Sequence, residues 1–178
     1  MKRTTMLGVG LLVLATCATA PHSASGKDRL LTSARGSLTQ MQLRDPGLQS
    51  FLADSAGYAV FPDIGKAGLG VGGASGRGVL FRHGQAVGFV RLDQASVGWQ
   101  VGAQTLAELI VFRDEAGVAR LEGNTFELGA SASAVLVTAG AAGTARFADG
   151  VAVFQYPRGG LMLEATVEGQ RLRFSPGT

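Results

Sequence analysis

From Ala67 to Phe81 the chain reads AGLGVGGASGRGVLF, and every even position from 68 to 78 is glycine or alanine. Alternate residues of an extended strand share one face. Gly68, Gly70, Gly72, Ala74, Gly76 and Gly78 therefore give this segment one face almost bare of side chains. Such a face predicts close approach by something else: another strand's backbone, an aromatic ring or a lipid. Glycine makes up 27 of 178 residues, against a usual ~7%. It is mixed with Val, Leu and Phe rather than with Ser, Gln and Pro, so the composition describes smooth or punctuated strands and not disorder.

At this length a single domain with a real core is expected. The first residues read as an export leader: Lys2 and Arg3 precede an apolar run from Met6 to Ala15, which is too short to span a bilayer. Leu14-Ala15-Thr16-Cys17 resembles a bacterial lipobox, with Thr16 where a smaller residue is usual. On that reading residues 1–16 are a signal peptide, the sole cysteine, Cys17, is acylated, and 17–26 form a lipidated N-terminus and polar tether. Plain secretion is the alternative. A lone cysteine permits no intramolecular disulfide and so leaves the redox compartment open. Of 16 basic side chains, Lys2 and Arg3 leave with the leader, so the remaining 14 nearly balance 13 acidic ones. A broadly basic surface for nucleic acid is not expected.

Residues 27–44 have helical spacing, with Leu30, Ala34, Leu38 and Met41 on one face, Leu31 at its edge, and Lys27, Arg35 and Arg44 at or beside the stripe. Asp45-Pro46 starts a second short helix carrying Leu48, Phe51 and Leu52, and the two helices are expected to pack as a pair. From Tyr58 the texture is that of strands: 58–61, 67–81, 86–92, 96–103, 109–113, 125–137, 151–156, 161–167 and 170–174. His83-Gly84 and Glu168-Gly169 read as hairpin turns, 105–109 as a helical turn, and Asp114-Glu115 as an exposed turn. Ser96, Gly98 and Gly102 form a second smooth face opposite Val97, Trp99 and Val101, and Gly129, Ser131 and Ser133 a third. Thin strands coil tightly. The expected fold is α+β: two N-terminal helices packed on a glycine-rich, mainly antiparallel, strongly curved sheet or partial barrel.

Chemistry is sparse. Gly68-x-Gly70-x-x-Gly73 matches the dinucleotide fingerprint in form, but no helix follows to receive a pyrophosphate. His22 and His83 are too few for a usual zinc site, and His83 beside Gly84 suits a turn better than a catalytic base. Ser75, Ser96, Ser131 and Ser133 stand in no nucleophile elbow, and the carboxylates form no acid and base pair. An enzyme, a metal site and a cofactor are not expected. What remains is charge around the smooth strand: Lys66 at its entrance, Arg77 within it on the opposite face with Leu69 and Val71, then Arg82 and Arg91. Cations beside exposed backbone N–H groups are suited to an anionic headgroup.

The segments Ala56-Gly57-Tyr58-Ala59-Val60-Phe61-Pro62, Lys66 to Gly73, Gly76 to Leu80, Ser96 to Gln104 and Gly129 to Ser131 together resemble the SYLF domain family. The resemblance implies a phospholipid-binding module over about 27–178, with an N-terminal amphipathic helix contributing to membrane association and some members binding actin. Many relatives carry an aromatic and an acidic residue where this chain has Ser75 and Arg77. The expectation is a non-enzymatic, anionic-lipid-binding lipoprotein of the bacterial envelope, facing the periplasm from the outer membrane, or periplasmic or secreted without acylation of Cys17. Lys66 and Arg77 are its expected headgroup contacts, and Lys27, Arg35 and Arg44 its membrane-facing helix cations, with core packing of that helix as the alternative. No protein partner can be named, and the rival reading is a structural or protein-interaction module of the envelope with no small-molecule ligand.

Overall fold

A computed structural model describes residues 23–128, 134–136 and 140–177. The leader, Cys17 and the third smooth face at 129–133 lie outside these residues. The elements in chain order are α1 (Ala24–Arg44), α2 (Gly47–Ala53), β1 (Gly57–Arg82), β2 (Gln85–Phe112), α3 (Glu115–Glu122), β3 (Glu127–Leu128), β4 (Ala134–Leu136), α4 (Ala141–Thr144) and β5 (Val151–Pro176).

Three strands of 26, 28 and 26 residues replace the eight short ones expected between 58 and 113 and between 151 and 174. The sheet runs β1-β2-β5-β3, with β4 joining β5 in parallel and all other pairs antiparallel. It is an open sheet, so the α+β class holds while closure toward a barrel does not. Glu168-Gly169 makes no hairpin: the pair continues the ladder opposite Ser96 and Ala95. Residues 105–109 are strand rather than a helical turn. Local turn chemistry yields in both places to cross-strand pairing, which at 105–108 passes through shifts in register. His83-Gly84 does turn, with φ of 47° and 77°, as a two-residue hairpin with positive φ requires.

The long hairpin doubles back on itself. Its bend is a break in register between the pairs Leu69–Val101 and Val71–Val97, where β1 has one residue, Gly70, and β2 has three, 98–100. Gly70 has φ 72° and Gly98, across the break, φ 143°, values that L side chains rarely adopt. The second half of β1 thereby folds over the first. A methyl at Gly78 would sit 2.6 Å from the Val60 carbonyl oxygen and 2.7 Å from the Phe61 ring, and one at Gly76 2.7 Å from Ile64. What lies against the smooth face is thus the beginning of the same strand.

Two cores follow. The inner one fills the fold-over with Phe61, Ile64, Leu80, Leu92, Ile110, Phe112 and Val153, and is joined by Val118 and Leu121 of α3 and by Phe126. The expected exposed turn at Asp114-Glu115 is corrected to the start of α3, because the Asp114 carboxylate accepts from the Gly117 amide at 3.0 Å and caps the helix. The outer core lies between the other sheet face and the helices, with Val60, Val79, Phe81, Leu109 and Phe154 meeting Ala34, Met41, Leu48 and Leu52. Helix α1 starts three residues before Lys27, since Ser23 accepts from the Gly26 amide and caps it. Its stripe lies as read: Ala34 and Met41 are buried, and Leu30, Leu31 and Leu38 pack partly buried. Asp45, itself buried, ties the turn into α2 to a distant element by accepting from the amides of Gly47 at 3.1 Å and Ala142 at 2.6 Å.

Gly78→Ala should lose about 1–3 kcal/mol of stability in urea unfolding, the usual cost of overpacking against immovable backbone. Gly65→Ala, where an added methyl meets nothing within 4 Å, should change stability by well under that amount. Asp45→Ala leaves the buried Ala142 amide without its acceptor and should cost about 1–3 kcal/mol in the same measurement.

Candidate functional site

Antiparallel pairing places directly opposed residues on the same face of a sheet. The register therefore sets Arg77, Arg91 and Arg173 in one row across β1, β2 and β5, and Ser75, Asp93 and Arg171 in the next. Two rows further toward the bend comes the pair Val71 and Val97, then Leu69 and Val101 beyond the break in register. Arg77 lies on this outer face and is exposed, as its parity implies. In the other direction the face runs under α1 at Val79 and Phe81.

Like charges opposed across strands repel, and two carboxylates offset part of that here. Arg91 holds Asp93 in a two-point contact, Nε to Oδ2 and Nη2 to Oδ1, both 2.7 Å. Arg171 pairs with Glu127 at 2.8 Å through Nη2. The hydrogen bonds from Arg91 hold the Asp93 carboxyl below its ordinary pKa against a smaller opposing effect of burial, and the charges of Arg91, Arg173 and Arg171 act in the same lowering direction. Among the described residues these two rows hold four arginines and, with Glu127, two acids. A cavity of about 620 Å³ opens beside them, with Asp93, Glu127, Leu128, Arg171 and Arg173 in its wall.

Lys66 is placed elsewhere. It is 4% exposed, on the inner face, at the mouth of a cleft of about 540 Å³ between the two halves of the hairpin. Buried Gln94, Glu108 and Gln170 lie on the same face. Gln155 donates to Glu108 Oε2 at 2.9 Å, and Gln170 donates to Gln94 Oε1 at 3.0 Å. The sheet thus separates Lys66 from Arg77 rather than bringing them together. The cations of α1 lie against or beside the body: Lys27 stands 5.5 Å from the Phe89 ring centre and Arg44 4.6 Å from that of Tyr156. Arg35 is exposed, and its charge partly opposes the upward shift that burial imposes on the Tyr58 phenol.

Sequence reasoning missed Arg171 and Arg173, although their alternation with Leu172 and Phe174 was a legible sign of a charged strand face. It also missed Glu108, a lone acid inside the apolar run Leu106 to Phe112. His83 sits exposed in the hairpin turn, and among the described residues no three His, Cys, Asp or Glu side chains gather as metal ligands.

Residues 93–176, from the Asp93 row of β2 to the end of β5, match the family model Ysc84, described as Las17-binding protein actin regulator. No curated protein matches the chain.

The folded pKa of Asp93 lies below the unfolded value of ~3.9, so its ion pair stabilises fully above about pH 4, and that contribution disappears as pH falls through the lower folded value. Asp93→Asn should therefore melt below the wild type at pH 7, with the gap closing on acidification in thermal scans taken down to about pH 2.

Proposed function

We propose that this chain is a non-enzymatic module binding anionic phospholipid, a reading supported by the match of residues 93–176 to the Ysc84 (SYLF) family model, a family associated with lipid binding and in some members with actin. The observation that carries the reading is the row Arg77, Arg91 and Arg173 with Arg171 beside it, on a sheet face left open by the helices. Guanidinium groups make two-point hydrogen bonds to phosphate, and several held on one rigid sheet cost little to arrange. The headgroup contacts of this reading are Arg77, Arg171 and Arg173. Lys66, buried on the opposite face, is not among them. The proposal includes export and anchoring through acylated Cys17, which would hold the domain at the periplasmic face of the outer membrane. Labelling with palmitate, lost in Cys17→Ser, tests that anchor.

A protein-binding reading is favoured by one feature, the exposed apolar pairs Leu69–Val101 and Val71–Val97, and by the actin association within the family.

The test is co-sedimentation of the Cys17→Ser protein with vesicles of phosphatidylglycerol or of phosphatidylcholine. Binding should be confined to the anionic vesicles and weaken with salt. Arg77→Ala with Arg173→Ala should reduce it roughly tenfold or more, at about 1 kcal/mol per cation near an anionic surface. Failure to bind any anionic vesicle would overturn the proposal.

A further inference from the structure

The outer face near the bend exposes four aliphatic side chains: Leu69 at 79%, Val71 at 68%, Val97 at 65% and Val101 at 49%. They are two cross-strand pairs rather than scattered residues. Isolated exposed hydrophobes are ordinary on a soluble surface, whereas contiguous ones mark an interaction surface. On β1 the inner face of the same segment carries little bulk: Gly68 and Gly72 flank Leu69 and Val71, and Ser96, opposite Gly72, is buried.

The surroundings of the patch identify its occupant. Among the described residues of this face, the nearest charged row, Ser75, Asp93 and Arg171, lies four residues along β1 from Val71, about 13 Å at ordinary strand rise. The Arg77, Arg91 and Arg173 row follows on the same face. An apolar end succeeded by arginines is the layering of an anionic bilayer surface, in which apolar groups sink about 5–10 Å and cations stay among the phosphates. The glycine bend adds geometry, since it makes the patch the turned end of the sheet rather than a part shielded by helices. Helix α1 is placed differently, its apolar stripe already spent against the sheet.

Resting on the lipid-binding reading, we propose that the bent end of the sheet, through Leu69, Val71, Val97 and Val101, is the element that enters an anionic membrane, with Arg77, Arg171 and Arg173 at headgroup level, while α1 stays on the body. The insertion is a property of two strands and a register break and needs no change in the helices.

In a Cys17→Ser background, Val71→Cys and, as a control on exposed α1, Gln40→Cys are each labelled with an environment-sensitive fluorophore and mixed with phosphatidylglycerol vesicles. The Val71 probe should shift to the blue and lose at least half its emission when the acyl chains are brominated, while the Gln40 probe should change little. Leu69→Asp with Val97→Asp should bind the vesicles at least tenfold more weakly with an unchanged circular dichroism spectrum, and the probes decide the matter if that variant fails to fold. Wild type that pellets with the vesicles while the Val71 probe stays silent, or while the Gln40 probe is the one quenched, overturns this inference and leaves the lipid-binding reading intact. Wild type that does not pellet overturns the reading itself. A blue shift at Val71 that grows with protein concentration without lipid, accompanied by dimers in sedimentation, overturns the inference in favour of a contact between copies.

Discussion

Everything in this molecule depends on a strand packing against its own beginning. Gly76 and Gly78 let the second half of β1 come within van der Waals contact of Val60, Phe61 and Ile64, and the inner core is the space enclosed by that contact. With any larger residue at those two positions the halves would stand apart, and Leu80, Leu92 and Ile110 would lose the opposite wall. The outer core depends on it at one remove, because α1 needs Val60 and Val79, one from each half, side by side beneath it.

The same constraint divides polar residues between two environments. On the inner face polar side chains must find partners within the protein, and Gln94, Glu108, Gln155 and Gln170 do so only in part through one another, since the buried Gln94 Nε2 and Gln170 Oε1 have no hydrogen-bond partner among the described residues. On the outer face Arg91, Arg171 and Arg173 keep their charge in a setting that water or an anion can reach. Neighbouring positions along β2 thus differ wholly in role: Asp93 belongs to a charged surface and Gln94 to a buried amide pair.

Much of this was legible in the residues. The alternation at 68–78 announced close packing, the stripe from Leu30 to Met41 gave the covering helix, and His83-Gly84 gave the hairpin turn. The failures share a cause. Glu168-Gly169 is a turn signal within its own neighbourhood, yet it lies in a ladder whose partners are tens of residues away. Lys66 looked like a surface cation because its neighbours are small. Only the fold-over, a contact between distant parts of one strand, puts it inside. Asp114 was read as a turn for want of any local sign that Val118 and Leu121 had a core to face.

The turn at His83-Gly84 also fixes an order in time. Pairing between β1 and β2 starts with Arg82 against Gln85 and ends with Gly57 against Phe112. Each added rung closes a loop only slightly longer than the last, so zipping outward from the turn is the cheapest route. The inner core cannot form until that zipper has passed Gly70, because only then does β1 have two halves to bring together. Cooperativity is therefore built into the connectivity: rungs on both sides of the bend contribute to the same inner core, Leu80 and Leu92 from one side and Phe61 and Ile110 from the other, so neither half is protected until both are paired.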